Sequence, residues 1–198
     1  MLDVYKRPYN KAFPVVCMDE SSKQLMKETR TRIHIKSGQE AKEEFEYERS
    51  SVANIFLVSK PLKGKKCVKV TEKKTKTDWA KFIKQIANKW YKDSEKITLV
   101  MENLATHKAA ALYEMYPHQE AKRIWDRFKF VYTPKHCNWL NIAEIELKVL
   151  MGQCLNRRIN KLKTMKDEVR SWQTDRNNKK ATINWQFTNQ LTKINLKR

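Results

Sequence analysis

Apolar and polar positions recur along this chain with two periods, and the switches between them mark its elements. Pro14-Val15-Val16-Cys17-Met18 is a short uninterrupted apolar run closing on Asp19, and it predicts a buried strand over 14–19. Residues 29–44 are polar and mixed and read mostly as loop. Phe45-Glu46-Tyr47-Glu48 alternates with a period of two, and 52–58 is a stronger strand. Pro61-Leu62-Lys63-Gly64 then turns the chain and 67–71 alternates on the way back, which predicts a hairpin. Beyond it Trp79, Phe82, Ile83, Ile86 and Trp90 recur at three and four residues, an amphipathic helix with a cap at Thr77-Asp78.

A second uninterrupted run, 97–101, closes on Glu102 and predicts another strand. Residues 107–128 read as helical with a break at Pro117, which suits the first turn of a new helix. Phe130-Val131-Tyr132 is a short strand stopped by Pro134. Asn138 or Asn141 caps a helix running to about Arg158, a further helix covers 166–176, and the tail from Ile183 is basic and weakly strand-like. Hairpins mixed with helical crossovers imply a mixed sheet with helices on its faces. Ligands of such sheets gather at the carboxyl ends of strands, where Asp19 and Glu102 both lie.

Composition narrows the partners. The 198 residues suit one domain with a small appendage, and 40% hydrophobic residues with six Trp are enough to build a core. Lys and Arg number 42 against 22 Asp and Glu, a formal charge of +20 that points to a polyanion such as DNA. No apolar run approaches the roughly 18 residues of a membrane span, and the first residues lack a signal-peptide core. The four Cys are scattered, which argues against a structural zinc site or a disulfide framework and fits a reducing cytosol. Three Gly in the whole chain leave no Gly-rich phosphate loop.

The candidate chemistry lies in three acids. Asp19 and Glu102 end strands, and Glu144 sits where a helix begins, a set suited to divalent metals. Two-metal phosphodiester chemistry needs carboxylates that hold ions about 3.5–4 Å apart, and Mg²⁺ takes oxygen ligands in near-octahedral geometry. Spacing leaves Glu144 and Glu146 both open as the helical acid. Leu140, Ala143, Leu147, Met151 and Cys154 form one apolar stripe, and Glu144 lies nearer its centre. Lys60, Lys63, Lys65, Lys66, Lys69, Lys73, Lys74 and Lys76 surround the hairpin, and Arg157, Arg158, Lys161, Lys163 and Lys166 form a second patch. Each reads as phosphate contact with steep salt dependence, or as a solvated face that protects a sheet edge. His107 reads either as a residue orienting substrate or a ligand, or as a helix-start histidine bonded to backbone. His136 and Cys137, adjacent on an extended segment, point apart and make a poor nucleophilic pair.

The local wording carries more than the spacing. Val15-Val16-Cys17-Met18-Asp19-Glu20-Ser21-Ser22-Lys23-Gln24-Leu25 resembles the first catalytic strand of mariner-related bacterial transposases, the insertion sequence 630 group. Leu99-Val100-Met101-Glu102-Asn103-Leu104-Ala105-Thr106-His107 resembles their second block, usually Asp-Asn-Leu-x-Thr-His. Tyr132-Thr133-Pro134-Lys135-His136-Cys137-Asn138-Trp139-Leu140-Asn141-Ile142-Ala143-Glu144-Ile145-Glu146 resembles the third. The likeness extends through Val68-Lys69-Val70-Thr71-Glu72, Cys154-Leu155-Asn156-Arg157-Arg158 and Asn184-Trp185-Gln186-Phe187-Thr188.

The resemblance implies a ribonuclease-H-like fold, an α/β mixed five-stranded sheet with flanking helices. It implies DNA cleavage and strand transfer at transposon ends with two Mg²⁺ or Mn²⁺ ions. Asp19, Glu102 and Glu144 would be the ligands, with Asn103, His107 and Asn141 in support. Residues 14–160 would form the catalytic domain. Residues 1–13 would be a basic linker from an N-terminal DNA-binding region, and 161–198 a C-terminal helix and basic tail. The partners implied are transposon-end and target DNA in the bacterial cytoplasm at the nucleoid, with no membrane and with a homodimer as a compatible assembly.

One departure stands at the centre. Glu102 occupies the place of the family's Asp and is one methylene longer. Misplacement by about 1 Å can cost about 100-fold in rate, so impaired cleavage partly relieved by Mn²⁺ is expected. The alternative is a catalytically decayed DNA-binding remnant. A different ribonuclease-H-like nuclease, such as a junction resolvase, would require the motif likeness to be accidental.

Overall fold

The computed structural model describes residues 2–29, 46–134 and 140–183. A short helix α1 (Leu2–Tyr5) precedes β1 (Val15–Glu28), β2 (Tyr47–Lys60) and β3 (Lys65–Thr71). Then come α2 (Lys76–Gln85), β4 (Ile97–Met101), α3 (Ala109–Met115), α4 (His118–Asp126), β5 (Phe128–Tyr132), α5 (Ile142–Gln153) and α6 (Leu162–Asn178). The five strands form one sheet in the order β3-β2-β1-β4-β5. β1 is antiparallel to β2 and parallel to β4, and β5 is parallel to β4. This is the mixed five-stranded sheet with flanking helices that the motifs imply.

Alternation along the strands divides the core in two. Val16, Met18, Phe56, Val58, Leu99 and Met101 face α2, α3 and α4. Cys17, Ile55, Leu57, Val70 and Val100 face α5 and α6. Both faces of the central strands are therefore buried, which is why 97–101 reads as an unbroken apolar run.

Several elements differ from the sequence reading. The first strand is more than twice its expected length, because β1 continues beyond Asp19 as the partner of β2, Ser21 against Ile55 and Gln24 against Val52. The two strands expected at 45–48 and 52–58 are one, β2. The cap of α2 is Thr75 rather than Thr77. Its hydroxyl accepts from the Asp78 amide while Asp78 reaches back to the Thr75 amide, a reciprocal capping box. The 107–128 region holds two short helices with Pro117 as the cap of the second, and Phe128 belongs already to β5. α5 stops at Gln153, short of Arg158, and α6 runs longer than expected at both ends. The loop expected at 29–44, Asn138, the His136–Cys137 pair and the strand-like tail beyond Ile183 lie outside the described residues, Thr29 and Ile183 themselves excepted.

The hairpin turns at Gly64, whose φ of 61° is left-handed. A Cβ there would stand 2.5 Å from the Lys180 backbone. Helix α6 covers the outer edge of β3: Gln173 accepts from the Val68 amide at 2.6 Å, and Asn177 bonds both the amide and the carbonyl of Lys66. A free strand edge is thereby closed. The segment read as a linker is packed onto the domain, with Val4 buried and the Tyr5 hydroxyl donating to the Leu140 carbonyl at 3.0 Å. Among the described residues no helix is long and apolar enough to cross a membrane.

Candidate functional site

Strand register brings the first two acids together. Cys17 pairs with Val100 across β1 and β4. Two residues further along each chain, on the same face of the sheet, stand Asp19 and Glu102. Neighbouring strands lie about 4.8 Å apart, so the two carboxylates share one strip of surface. α5 arrives on that face, and its N-terminus is fixed by Asn141. The Asn141 side-chain amide donates to the Met18 carbonyl at 2.8 Å, and its Oδ1 accepts from the Ala143 amide. The cap thus docks the helix beside the residue that precedes Asp19, and Glu144 falls in the first helical turn. The alternative between Asn138 and Asn141 resolves to Asn141.

The electrostatics agree with this proximity. Burial pushes the Asp19 carboxyl up to about 7, and the charges of Glu102, Glu144 and Glu20 push it the same way, against the hydrogen bond from the Glu20 amide. Oε1 of Glu144 meets Lys148 at 3.1 Å, while its Oε2 is buried without a hydrogen-bond partner. Three carboxylates, Asp19, Glu102 and Glu144, gathered on one partly buried face repel one another, and a divalent cation would relieve that repulsion. The donor set is oxygen only, as Mg²⁺ and Mn²⁺ prefer. The fit is in chemistry and placement. Among the described residues no three of these side chains already converge into a ligand cluster.

Around the acids the structure adds residues that spacing did not single out. Glu20 points through to the opposite face of the sheet and is 4% exposed. His107 Nε2 lies 2.6 Å from its Oε1, and Lys74 Nζ lies 3.4 Å from its Oε2. The His107 ring stacks on Trp79 with centroids 5.3 Å apart, and its Nδ1 stands 3.4 Å from the Glu102 carbonyl oxygen. Of the two readings of His107, the structure shows the backbone contact, and it adds a contact with Glu20. The residue missed was Glu20; its only signal was an acid placed where strand alternation demands a core residue. Asn103 is exposed and receives a hydrogen bond from Lys108.

Two expectations need correction. Glu146, not Glu144, lies in the buried stripe of α5, together with Ile142, Ala143, Leu147 and Leu150. Glu146 meets Lys66 Nζ at 3.0 Å and Arg176 at 3.3 Å. Lys66, expected to meet phosphate, is 1% exposed, and its ammonium also donates to the Gly64 and Ala181 carbonyls. Its proton donors are spent inside the fold, and burial lowers its pKa against the pull of Glu146.

The remaining basic residues do not form one patch. Lys73 and Lys74 are exposed on the connection between β3 and α2, and Lys74 reaches Glu20 behind the acids. Lys69 is half-buried near Asp78 of α2, and burial lowers its pKa. Lys60, Lys63 and Lys65 lie at the hairpin end of β2 and β3; Lys60 and Lys63 sit over the Tyr9 ring at 4.7 and 4.6 Å. Arg157 and Arg158 follow the C-terminal end of α5, which itself ends about 14 Å of helix from Glu144. Arg157 pairs with Glu168, and Arg158 lies over the Tyr47 ring. A cleft of about 510 Å³ between the C-terminal end of α5 and the middle of α6, lined by Cys154, Arg157, Glu168 and Trp172, lies at this same remote end.

Comparison with known proteins agrees with the fold. A family model described as DDE superfamily endonuclease matches residues 14–166, which include all three acids. No curated protein matches the chain. Among solved structures the chain is similar to a Mos1 transposase paired-end complex with left transposon end, at TM-score 0.59 and 14% identity, covering 87% of this chain and 51% of that one. It is similar also to the Mos1 mariner paired-end complex with Mn, at TM-score 0.58 and 14% identity over 87% and 51% of the two chains. The paired-end complex with Mg gives TM-score 0.58 and 13% identity over 89% and 52%. At such identities the likeness concerns the fold, which is ribonuclease-H-like. The chain spans about half the length of the solved chains it matches.

Proposed function

This chain belongs to the DDE superfamily endonucleases, and from that premise we propose that it is the catalytic domain of a DNA transposase. One observation carries the reading: Asp19 and Glu102 lie on one sheet face in adjacent strand register, and Asn141 docks the helix bearing Glu144 against them. In this reading Asp19, Glu102 and Glu144 hold two Mg²⁺ or Mn²⁺ ions. When bound, such ions activate the attacking oxygen and stabilise the leaving one.

The chain's own groups supply the rest. Exposed Lys73 and Lys74, on the connection from β3 to α2, attract the phosphate backbone and orient it without reading sequence. Asn141 holds the Glu144 helix, and the Glu20–His107 contact anchors the turn behind Glu102. Water attacks the scissile phosphorus, the bond to the 3′ oxygen breaks, and a 3′-hydroxyl and a 5′-phosphate result. The freed 3′-hydroxyl then attacks a target-strand phosphorus and displaces the target's 3′ oxygen. The motif wording further supports an insertion-sequence enzyme of bacterial cytoplasm, acting at the nucleoid on transposon ends and target DNA, with a homodimer as its assembly.

A second reading, a DNA-binding remnant with a compromised centre, is favoured by a single residue. Glu102 stands where the family motif has Asp. Nicking of supercoiled plasmid in Mg²⁺ and in Mn²⁺ separates the two, using the native chain, Glu102→Asp and Asp19→Ala. The proposed function predicts nicking that Asp19→Ala lacks, with Glu102→Asp faster and the native chain relatively better in Mn²⁺. Salt-sensitive DNA binding by all three proteins without any nicking supports the remnant.

A further inference from the structure

We infer that Glu20 and His107 form a positioning pair that sets the spacing of the Asp19 and Glu102 carboxylates for divalent cations; this rests on the proposed function.

Glu20 follows Asp19 in β1, so its side chain crosses to the other face of the sheet. There it enters the region packed by Trp79 and the α2 layer. A carboxylate in such a place is costly unless it is partnered; one oxygen is hydrogen-bonded and the other has an ion-pair contact without a hydrogen bond. His107 Nε2 lies 2.6 Å from Oε1, and Lys74 Nζ lies 3.4 Å from Oε2.

The imidazole has little freedom of its own. It is 2% exposed, lies flat against the Trp79 indole with 17° between the planes, and directs Nδ1 at the Glu102 carbonyl oxygen. The turn that carries it closes on itself, as the His107 amide donates to the Leu104 carbonyl at 3.0 Å. The linkage therefore starts one residue from the first acid and ends on the backbone of the second. It spans the gap between β1 and the end of β4 on the face opposite the acids, where it can hold the two strands together without occupying the site. Lys74, on the connection into α2, adds a third element to the clamp.

Groups behind metal ligands set ligand orientation, and their loss costs about 10–100-fold in metal affinity or activity. The inference is tested by calorimetric titration of the intact chain with Mn²⁺ at fixed pH, with thermal denaturation of the same samples. Glu20→Ala and His107→Ala are expected to weaken Mn²⁺ binding by about 10–100-fold. Glu20→Gln, which keeps the length and one acceptor oxygen, is expected to restore most of it. Asp19→Ala is the reference for loss of the centre. Native Mn²⁺ affinity in Glu20→Ala and His107→Ala, with loss in Asp19→Ala, overturns the positioning pair and leaves the proposed function standing. Native affinity in all three overturns both. Should the alanine variants unfold, His107→Gln keeps the bulk of the ring position, and native Mn²⁺ affinity in that variant overturns the pair.

Discussion

Glu144 and Glu146 stand two residues apart on one helix and have opposite surroundings. Glu146 is buried and compensated, held by Lys66 and Arg176, with the Lys66 ammonium further tied to two carbonyls. Glu144 belongs to a group of acids in which Asp19 is pushed to about 7; it meets the exposed Lys148 with one oxygen and buries the other without a hydrogen-bond partner. The chain carries 42 basic residues, so cations to neutralise this second group were not scarce. A buried charge set that is matched locks α5, α6 and β3 together. A set left unmatched is at odds with stability alone, and such groups cluster at functional sites.

The largest contrast is between activity and stability. Asp19→Ala should reduce plasmid nicking to background while leaving the thermal midpoint at or above that of the native chain, because it removes a repelled carboxyl. Glu146→Ala should do the reverse. Removing one member of a buried ion group costs about 3–5 kcal/mol, read as a fall in the denaturation midpoint. Replacing the whole group with Lys66→Met, Glu146→Leu and Arg176→Met should recover most of that loss, since apolar substitutes of similar volume are often neutral.

A smaller effect follows from pH. The folded chain keeps a proton on Asp19 up to about 7, whereas the unfolded chain releases it near 3.8. Between those values the folded state binds more protons, so Asp19 makes stability fall as pH rises, and the fall levels off above about 7. The slope is about 1.4 kcal/mol per pK unit at most. Asp19→Asn should flatten this component in metal-free denaturation curves taken from pH 5 to 8, and an unchanged slope would show that Asp19 is not the repelled group. The smallest effect belongs to a helix cap whose bonds run to Asp78 and to none of these acids. Thr75→Ala removes the α2 cap and should cost about 1 kcal/mol with the metal response unchanged.

The same contrast explains what could be read in advance. Strand 97–101 was legible because both faces are buried and its apolar run is unbroken. β1 was read short because Ser21, Ser22, Lys23 and Gln24 look like loop, although they pair along β2 as far as the described residues reach. Glu102 was legible as following a strand end, Asp19 was singled out although β1 runs on past it, and the motif wording selected Glu144. The apolar stripe misled, because it treated Glu146 as polar and therefore outward, and no local pattern announces that two cations from β3 and α6 will bury it. Lys66 could not be told from its neighbours for the same reason. Its partners are 80 and 110 residues away in sequence. Glu20 was hidden by its neighbour: next to Asp19 it reads as part of an acidic pair, and only strand alternation sends it to the other face.

The central claim is that the unmatched acids are a cation centre and the matched acid is not. Anomalous diffraction from crystals of the native chain soaked in Mn²⁺ tests it most directly. The account predicts manganese density contacted by Asp19 and by Glu102 or Glu144, and none at Glu146. Manganese confined to other surfaces, with Asp19 and Glu144 left without it, would contradict it.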